Sequence, residues 1–204
     1  AWGKEWQSQF KRFNLTPVAA ASIGQVHDAE LHDGVRLAIK IQYPGIKRSI
    51  DSDVDNVASL LRLFNLIPQE MNFLPLLQEA KHQLHAEADY LHEAQALSRF
   101  SSYTAGDDRF VLPEVVESLT TQEVLTMTYL DGQPIEQLAG KPGTKRNAAA
   151  AAILELALHE VFDWGFVQTD PNFANYRYQA DTSRIQLLDF GATREYSQIG
   201  RAHV

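Results

Sequence analysis

The chain has no cysteine among its 204 residues. That excludes disulfides and thiolate metal sites and leaves the redox compartment open. Basic excess is also missing: 18 Lys and Arg stand against 26 Asp and Glu, a formal net charge of −8. Nonspecific nucleic-acid binding needs a surface that neutralises phosphates, so no nucleic-acid partner is expected. No stretch reaches the roughly 18 apolar residues of a membrane span. The best candidate, Ala148 to Val161, is interrupted by Glu155, His159 and Glu160 and reads as a core helix. There is no initiating methionine, and no signal or transit segment is visible at Ala1, so targeting is not read from this sequence. Glycine is scarce where it would be most telling: residues 19–25 hold alanines and the single Gly24.

What is present is ordinary for a soluble globular protein, 45% hydrophobic and 22% charged. The length allows a real core, as one large domain or two small lobes. Residues 18–31 read as two strands around a turn, Val18 to His27 and Ala29 to Leu31, followed by the turn signal His32-Asp33-Gly34. Val35 to Gln42 is an alternating strand carrying Lys40. From Ile50 to Leu66, Ile50, Val54, Val57, Leu60, Leu61 and Phe64 recur at helical spacing. Leu77, Ala80, Leu84, Ala88 and Leu91 predict a second, longer helix running to about Phe100. Phe110 to Glu117 and Glu123 to Tyr129 read as paired strands. Pro142-Gly143-Thr144 opens a third helix that runs to Trp164 and stops at Gly165. A turn at Ala180 to Ser183 follows. No internal repeat is visible.

Two phrases near the C-terminus carry chemistry: Thr169-Asp170-Pro171-Asn172-Phe173-Ala174-Asn175 and Leu187-Leu188-Asp189-Phe190-Gly191. Asp170 precedes Asn175 by five residues and Asp189 follows fourteen later. Kinase-like phosphotransferases use that order: an Asp for the acceptor proton, an Asn for one Mg²⁺, and an Asp-Phe-Gly for the other. Asp170 could accept a hydroxyl proton or orient a nucleophile. Asn175 offers a neutral oxygen and Asp189 a carboxylate, both suited to Mg²⁺. Pro171 would fix the backbone locally. The plainer alternative is a polar turn, since Asp-Pro-Asn is common in turns.

Lys40 closes Leu37-Ala38-Ile39-Lys40, the neighbourhood of a strand lysine that holds nucleotide phosphates. Such a lysine needs an acidic helix partner. Asp89 and Glu93 stand four apart on one face of the second predicted helix, with Glu87 off that face, and Glu93 is the candidate partner. Helix carboxylates are otherwise commonly a solvated face. Ala19, Ala20, Ala21, Ser22 and Gly24 occupy the position of a phosphate loop, whose backbone N–H groups could still face phosphate. Met127 and Leu130 lie where a kinase hinge would offer backbone groups to adenine. His82, His85 and His92 share a helix with acids and read as surface rather than a metal face.

Together these residues resemble the UbiB (AarF-domain) family of atypical kinase-like proteins, from about Phe13 to Tyr196. The phrases that carry the resemblance are Ala19-Ala-Ala-Ser-Ile-Gly-Gln-Val-His27, Lys40-Ile-Gln-Tyr-Pro-Gly45 and Glu87-Ala88-Asp89-Tyr90 with Glu93-Ala94. Gln168-Thr-Asp-Pro-Asn172, where many relatives have His-Ala-Asp-Pro-His, is similar to the branch that supports coenzyme Q biosynthesis. The resemblance implies an α+β, protein-kinase-like bilobal fold. Residues 1–130 would form an N-lobe with an inserted helix, and residues 131–198 a partial C-lobe with the catalytic loop and Asp-Phe-Gly. Residues 199–204 resemble translated sequencing adapter and are expected to be a non-native tail, so the chain would be truncated soon after Asp-Phe-Gly.

The resemblance also implies ATP and Mg²⁺ as cofactors. Lys40 would contact phosphate and pair with Glu93, Asp170 would be the catalytic-loop acid, and Asn175 and Asp189 would hold metal. Glu87 and Asp89 would be regulatory, meeting an N-terminal Lys-x-Gly-Gln segment absent from this sequence. The implied activity is that of an ATPase or small-molecule kinase rather than an ordinary protein kinase. Implied partners are ubiquinone-biosynthesis proteins or lipid intermediates, with peripheral membrane association. The implied location is mitochondrial in a eukaryote, and otherwise the bacterial cytoplasm or inner-membrane periphery. A nucleotide-binding pseudokinase scaffold and a small-molecule phosphotransferase are the alternatives.

Overall fold

The structure is a computed structural model that describes residues 1–64, 73–140, 143–170 and 172–196. The strands are β1 (Phe10–Phe13), β2 (Ala19–Ala21), β3 (Gly24–Leu31) and β4 (Arg36–Gln42). Helices α1 (Ile46–Leu63), α2 (Leu74–Glu87) and α3 (Tyr90–Thr104) follow. Next come β5 (Phe110–Val111), β6 (Val124–Thr128), β7 (Gln133–Pro134) and α4 (Gly143–His159). The last elements are β8 (Phe166–Gln168), β9 (Tyr176–Gln179), β10 (Arg184–Leu187) and β11 (Thr193–Glu195). Among the described residues the strands form three sheets. One runs β1-β3-β4-β6 with β2 on β3, one runs β5-β10-β9-β7, and β8 pairs β11.

The expected break in residues 18–31 falls elsewhere. Ala21 pairs with Gly24, so Ser22 and Ile23 form a two-residue turn and β3 runs unbroken through Asp28. Gly24 is required by packing: a Cβ there would strike the Ile41 carbonyl oxygen. The expected pairing of residues 110–117 with 123–129 is only partly realised. Val116 N–H donates to Thr126 O and Thr128 N–H to Glu114 O, whereas β5 pairs in parallel with β10.

The largest departure is in the second predicted helix, which is two helices. Asp89 leaves the helical region (φ −117°, ψ 95°) and its carboxylate accepts the Leu91 N–H, capping α3. The carbonyl freed at fully buried Ala88 accepts 2.8 Å from the Gln42 side chain of β4, and Tyr90 N–H donates to Gln122 O. Backbone groups at the break are thereby satisfied from a strand and a turn far away in sequence. The third predicted helix ends close to where its pattern ends. α4 passes into a π-turn, Glu160–Trp164, and Gly165 closes it at φ 60°.

The main core joins α3, β6, β8 and β10 through Leu97, Phe100, Leu125, Phe166, Ile185 and Phe190. Phe190 is buried against Phe100, with ring centroids 5.0 Å apart. Burying such a side chain stabilises by about 1.5–3 kcal/mol, which fixes the Asp-Phe-Gly segment on α3. A second core lies on the other face of the first sheet, around Phe10, Leu37, Ile39 and Val124, covered by Trp2, Trp6 and Phe13. β4 thus separates two cores. Leu37, Ile39 and Ile41 face one, while Ala38, Lys40 and Gln42 face the other side, the period-two alternation of a strand. No described helix is long and apolar enough to cross a membrane. The expected non-native tail, residues 199–204, and Pro171 lie outside the described residues.

Candidate active site

The alternation of β4 aims Lys40 inward between Ala38 and Gln42. The first turn of α3, set by the Asp89 cap, presents Glu93 to it. Lys40 Nζ donates 2.5 Å to Glu93 Oε1 and 3.0 Å to Asp189 Oδ2, joining residues 53 and 149 positions apart. Burial would push the Lys40 ammonium down, but the carboxylates of Glu93 and Asp189 outweigh it and hold the group above its ordinary range. Burial likewise opposes ionisation of Asp189, yet Lys40 and the Gly191 N–H, 3.0 Å from Oδ1, keep its carboxyl below the usual value. Burial is the main reason the Glu93 carboxyl is raised, with Asp189 adding to it. More than a third of the Asp189 side chain stays exposed, so it is the member of the triad turned to solvent.

The second group lies on the loop after β8. Asp170 Oδ2 accepts from Asn175 Nδ2 at 3.0 Å. Asn172 caps a short 3-10 turn, Phe173–Asn175, by accepting the Ala174 N–H, which sets the direction of Asn175. The loop is tied to the segment after Asp189: Thr169 N–H and Oγ1 both donate to Ala192 O, and Leu188 N–H donates to Asn175 O. Gln168 is bonded to both sides. Its side-chain amide donates 2.6 Å to the Asp189 carbonyl, and its side-chain oxygen accepts the Asp170 N–H at 3.0 Å.

Both groups open on one cavity of about 910 Å³, within the span of roughly 300–1,000 Å³ common for ligand sites. Ala19, Ala20, Ala21 and Ser22 form one wall; Lys40, Glu93 and Asp189 the back; Asp170 and Asn175 the floor. Glu87, the last residue of α2, also lines it, half-buried. Its carboxyl is raised by burial first and then by the nearby charges of Asp189 and Asp170.

Four sequence candidates are placed differently. Gly24 packs on Ile41 and does not line the cavity. Met127 is in the main core, and neither it nor Leu130 lines the cavity. Asp89 spends its carboxylate on the α3 cap instead of facing the cavity beside Glu87, because the helix expected to carry both is broken between them. His85 bonds Asp51, while His82 and His92 line a smaller neighbouring cavity. Among the described residues no three His, Asp or Glu side chains converge as a metal cluster.

Three residues escaped the sequence reading. Tyr90 lines the cavity with a buried hydroxyl that has no hydrogen-bond partner among the described residues. Glu160, seen in sequence only as an interruption of an apolar run, is a buried carboxylate that accepts the Gln168 N–H at 2.8 Å. Burial pushes its carboxyl up to about 7. Gln168 drew notice only as part of a phrase.

The residues fit an Mg²⁺-nucleotide in three respects. One carboxylate and one amide oxygen, from Asp189 and Asn175, suit a cation that keeps several waters. Lys40 supplies a fixed cation for phosphate. The Tyr90 hydroxyl is an orphaned buried donor in the cavity wall, and such groups call for a ligand or water oxygen.

The sequence matches the family model described as the ABC1 atypical kinase-like domain over residues 1–204. It is 42% identical over 194 residues to a rat protein named atypical kinase COQ8B, mitochondrial, covering 95% of this chain and 37% of the relative. It is 40% identical over 196 residues to the Saccharomyces cerevisiae protein named atypical kinase COQ8, mitochondrial, covering 96% of this chain and 39% of the relative. The solved structure of Rv3197 from Mycobacterium tuberculosis in complex with erythromycin superposes with a TM-score of 0.79 at 28% identity, covering 95% of this chain and 49% of that one. The chain therefore spans under two fifths of both curated relatives. These likenesses bear out the α+β, kinase-like fold that the resemblance implied.

Proposed function

The chain belongs to the ABC1 atypical kinase-like family, and on that premise we propose that it forms the nucleotide-handling part of a protein that binds Mg²⁺-ATP and turns it over in support of coenzyme Q biosynthesis. The observation that carries the reading is the Lys40–Glu93–Asp189 contact at the back of a cavity whose floor is Asp170 and Asn175. Lys40, oriented by Glu93, binds phosphate oxygens. Asp189 and Asn175 hold Mg²⁺, which when bound neutralises charge on those oxygens. The acceptor oxygen forms its bond to the γ-phosphorus as the bond to the bridging oxygen breaks and ADP leaves. Asp170 takes the acceptor proton. Water as acceptor makes the protein an ATPase; a small hydroxyl compound makes it a kinase.

The names of the relatives support a mitochondrial setting. COQ8 proteins are named atypical kinases and mitochondrial, which supports a mitochondrial location for a eukaryotic source; for a bacterial source the proposed location is the cytoplasm or inner-membrane periphery. Other ubiquinone-biosynthesis proteins or their lipid intermediates are the proposed partners. One observation favours a second reading, a nucleotide-binding scaffold without turnover. Ala19 to Ala21 form a regular strand whose residues line the cavity where a phosphate loop would use glycine, and their methyls limit how closely the backbone covers a γ-phosphate.

Thermal-shift titration of the full-length protein tests the core claim. Mg²⁺-ATP is expected to stabilise wild type, and Asp189→Asn to abolish most of that gain. Absence of any stabilisation of wild type sinks the nucleotide reading. If Asp170→Asn binds Mg²⁺-ATP and still restores quinone synthesis in a deficient strain, the scaffold reading replaces the enzymatic one.

A further inference from the structure

Gln168 makes three hydrogen bonds that the proposed reaction does not use. Its backbone N–H donates 2.8 Å to Glu160, its side-chain NH₂ donates 2.6 Å to the Asp189 carbonyl, and its side-chain oxygen accepts the Asp170 N–H at 3.0 Å. An amide presents a donor and an acceptor on one carbon and in one plane, so a single short side chain can bridge two backbone groups. A carboxylate offers acceptors only, and an apolar side chain neither. Gln168 is also the last residue of β8 and pairs with Thr193 of β11, so its backbone is fixed on the side away from Glu160. Glu160 is buried, on a π-turn, and its carboxylate accepts this N–H. A buried carboxylate in that position is costly unless it holds something in place.

We infer that Gln168 is a positioning residue, an amide strut that sets the separation of the Asp170 and Asp189 loops, with buried Glu160 as its anchor. The inference rests on the Mg²⁺-ATP reading above, since it matters only if those two loops work on one ligand. Without the strut the Asp170 loop keeps its bond to Asn175 and the Asp189 loop its bond to Lys40, but their mutual distance is left to backbone contacts, the β8–β11 pairing and the bonds of Thr169 and Leu188, with no side chain bridging the two acids' own peptide groups. Loss of about 1 Å of positioning costs on the order of 100-fold in rate, while ligand contacts that do not depend on the spacing survive.

The test is steady-state ATP turnover by the full-length protein. Gln168→Met keeps length and removes both side-chain bonds. It is expected to lower kcat roughly 10- to 100-fold with KM for ATP within about threefold. Gln168→His keeps one donor and one acceptor and is expected to recover part of the loss. In an Asp170→Asn background, Gln168→Met is expected to add less than about threefold, because both changes disable the same group. A Gln168→Met protein with kcat within twofold of wild type overturns the strut. So does an effect that multiplies fully with Asp170→Asn, or a loss confined to KM and melting temperature. If Gln168→Met does not fold, Gln168→His and Glu160→Leu decide it: both must lower kcat at near-constant KM, and unchanged kcat in both overturns the strut. A wild type that neither binds nor turns over Mg²⁺-ATP instead overturns the nucleotide reading, a separate result.

Discussion

The two halves of the candidate site are built in opposite ways. Lys40, Glu93 and Asp189 come from three distant segments, and the Lys40–Glu93 contact is buried. Asp170 and Asn175 come from one loop and meet at an exposed contact five residues apart. A buried ion contact among distant segments is part of how the chain folds, because removing one partner strands a charge that cannot be hydrated. An exposed contact within a loop can be altered with little cost to the fold. The back of the cavity is therefore architecture as well as chemistry, and the floor is chemistry alone.

Breaking the back should have the largest effect. Lys40→Met leaves Glu93 and Asp189 uncompensated and is expected to destabilise by about 3–5 kcal/mol, measured by denaturant unfolding. Wild-type stability in that variant would show the triad to be a surface feature and erase the contrast. Asp170→Asn is the matching change on the floor. Turnover should fall roughly 100-fold or more, about 3 kcal/mol in barrier, with unfolding free energy changed by less than about 0.5 kcal/mol. A variant that loses stability instead would make the floor architectural too.

Glu160 sharpens the contrast, since it is a buried acid under the exposed floor. Its folded carboxyl titrates near 7, above the usual 4.5 that the unfolded chain would show. The fold therefore holds this proton more tightly than the unfolded state does. That stability is fully present below about pH 4.5 and is lost as pH rises through about 7. Glu160→Gln, which can still accept the Gln168 N–H, is expected to gain roughly 1–3 kcal/mol at pH 8 and almost nothing at pH 4.5, by unfolding at the two pH values. Equal gains at both would put the acid in water. The smallest effect is expected at the cap: Asp89→Ala should cost about 1 kcal/mol without changing the access of Glu87 to the cavity. A larger loss, with impaired Mg²⁺-ATP stabilisation, would return Asp89 to the site from which the structure removes it.

Much of the site was legible because kinase-like chemistry needs particular residue types in a particular order. Lys40, Glu93, Asp170, Asn175 and Asp189 were named from spacing and resemblance, and the structure brings them to one cavity. What was not legible has a common cause. The apolar spacing from Leu77 to Leu91 continues across the break at Ala88, so periodicity cannot register it; the break depends on Gln42 and Gln122 reaching the freed backbone groups. The turn at Ser22-Ile23 carries no Gly-Asn or Asn-Gly signal, and Gly24 answers to the Ile41 carbonyl of the next strand. Residues 1–17 entered no predicted element, yet Trp2, Trp6, Phe10 and Phe13 cover the outer face of the first sheet. Tyr90 was visible only as the end of a phrase and Glu160 only as a break in an apolar run; their burial makes them notable.

The sequence by itself determined which reactive groups exist and in what order, because absent cysteines, the acidic balance and the Asp-x₄-Asn…Asp-Phe-Gly phrase follow from composition and spacing. Tertiary structure alone decided which carboxylates face the ligand. Glu87 and Glu93 look into the cavity, and Asp89 between them caps a helix, because a strand glutamine 46 residues away in sequence accepts the job of satisfying the Ala88 carbonyl. Backbone hydrogen-bonding demand at a helix end is met wherever a partner lies in space, and that is a property of the fold rather than of local sequence.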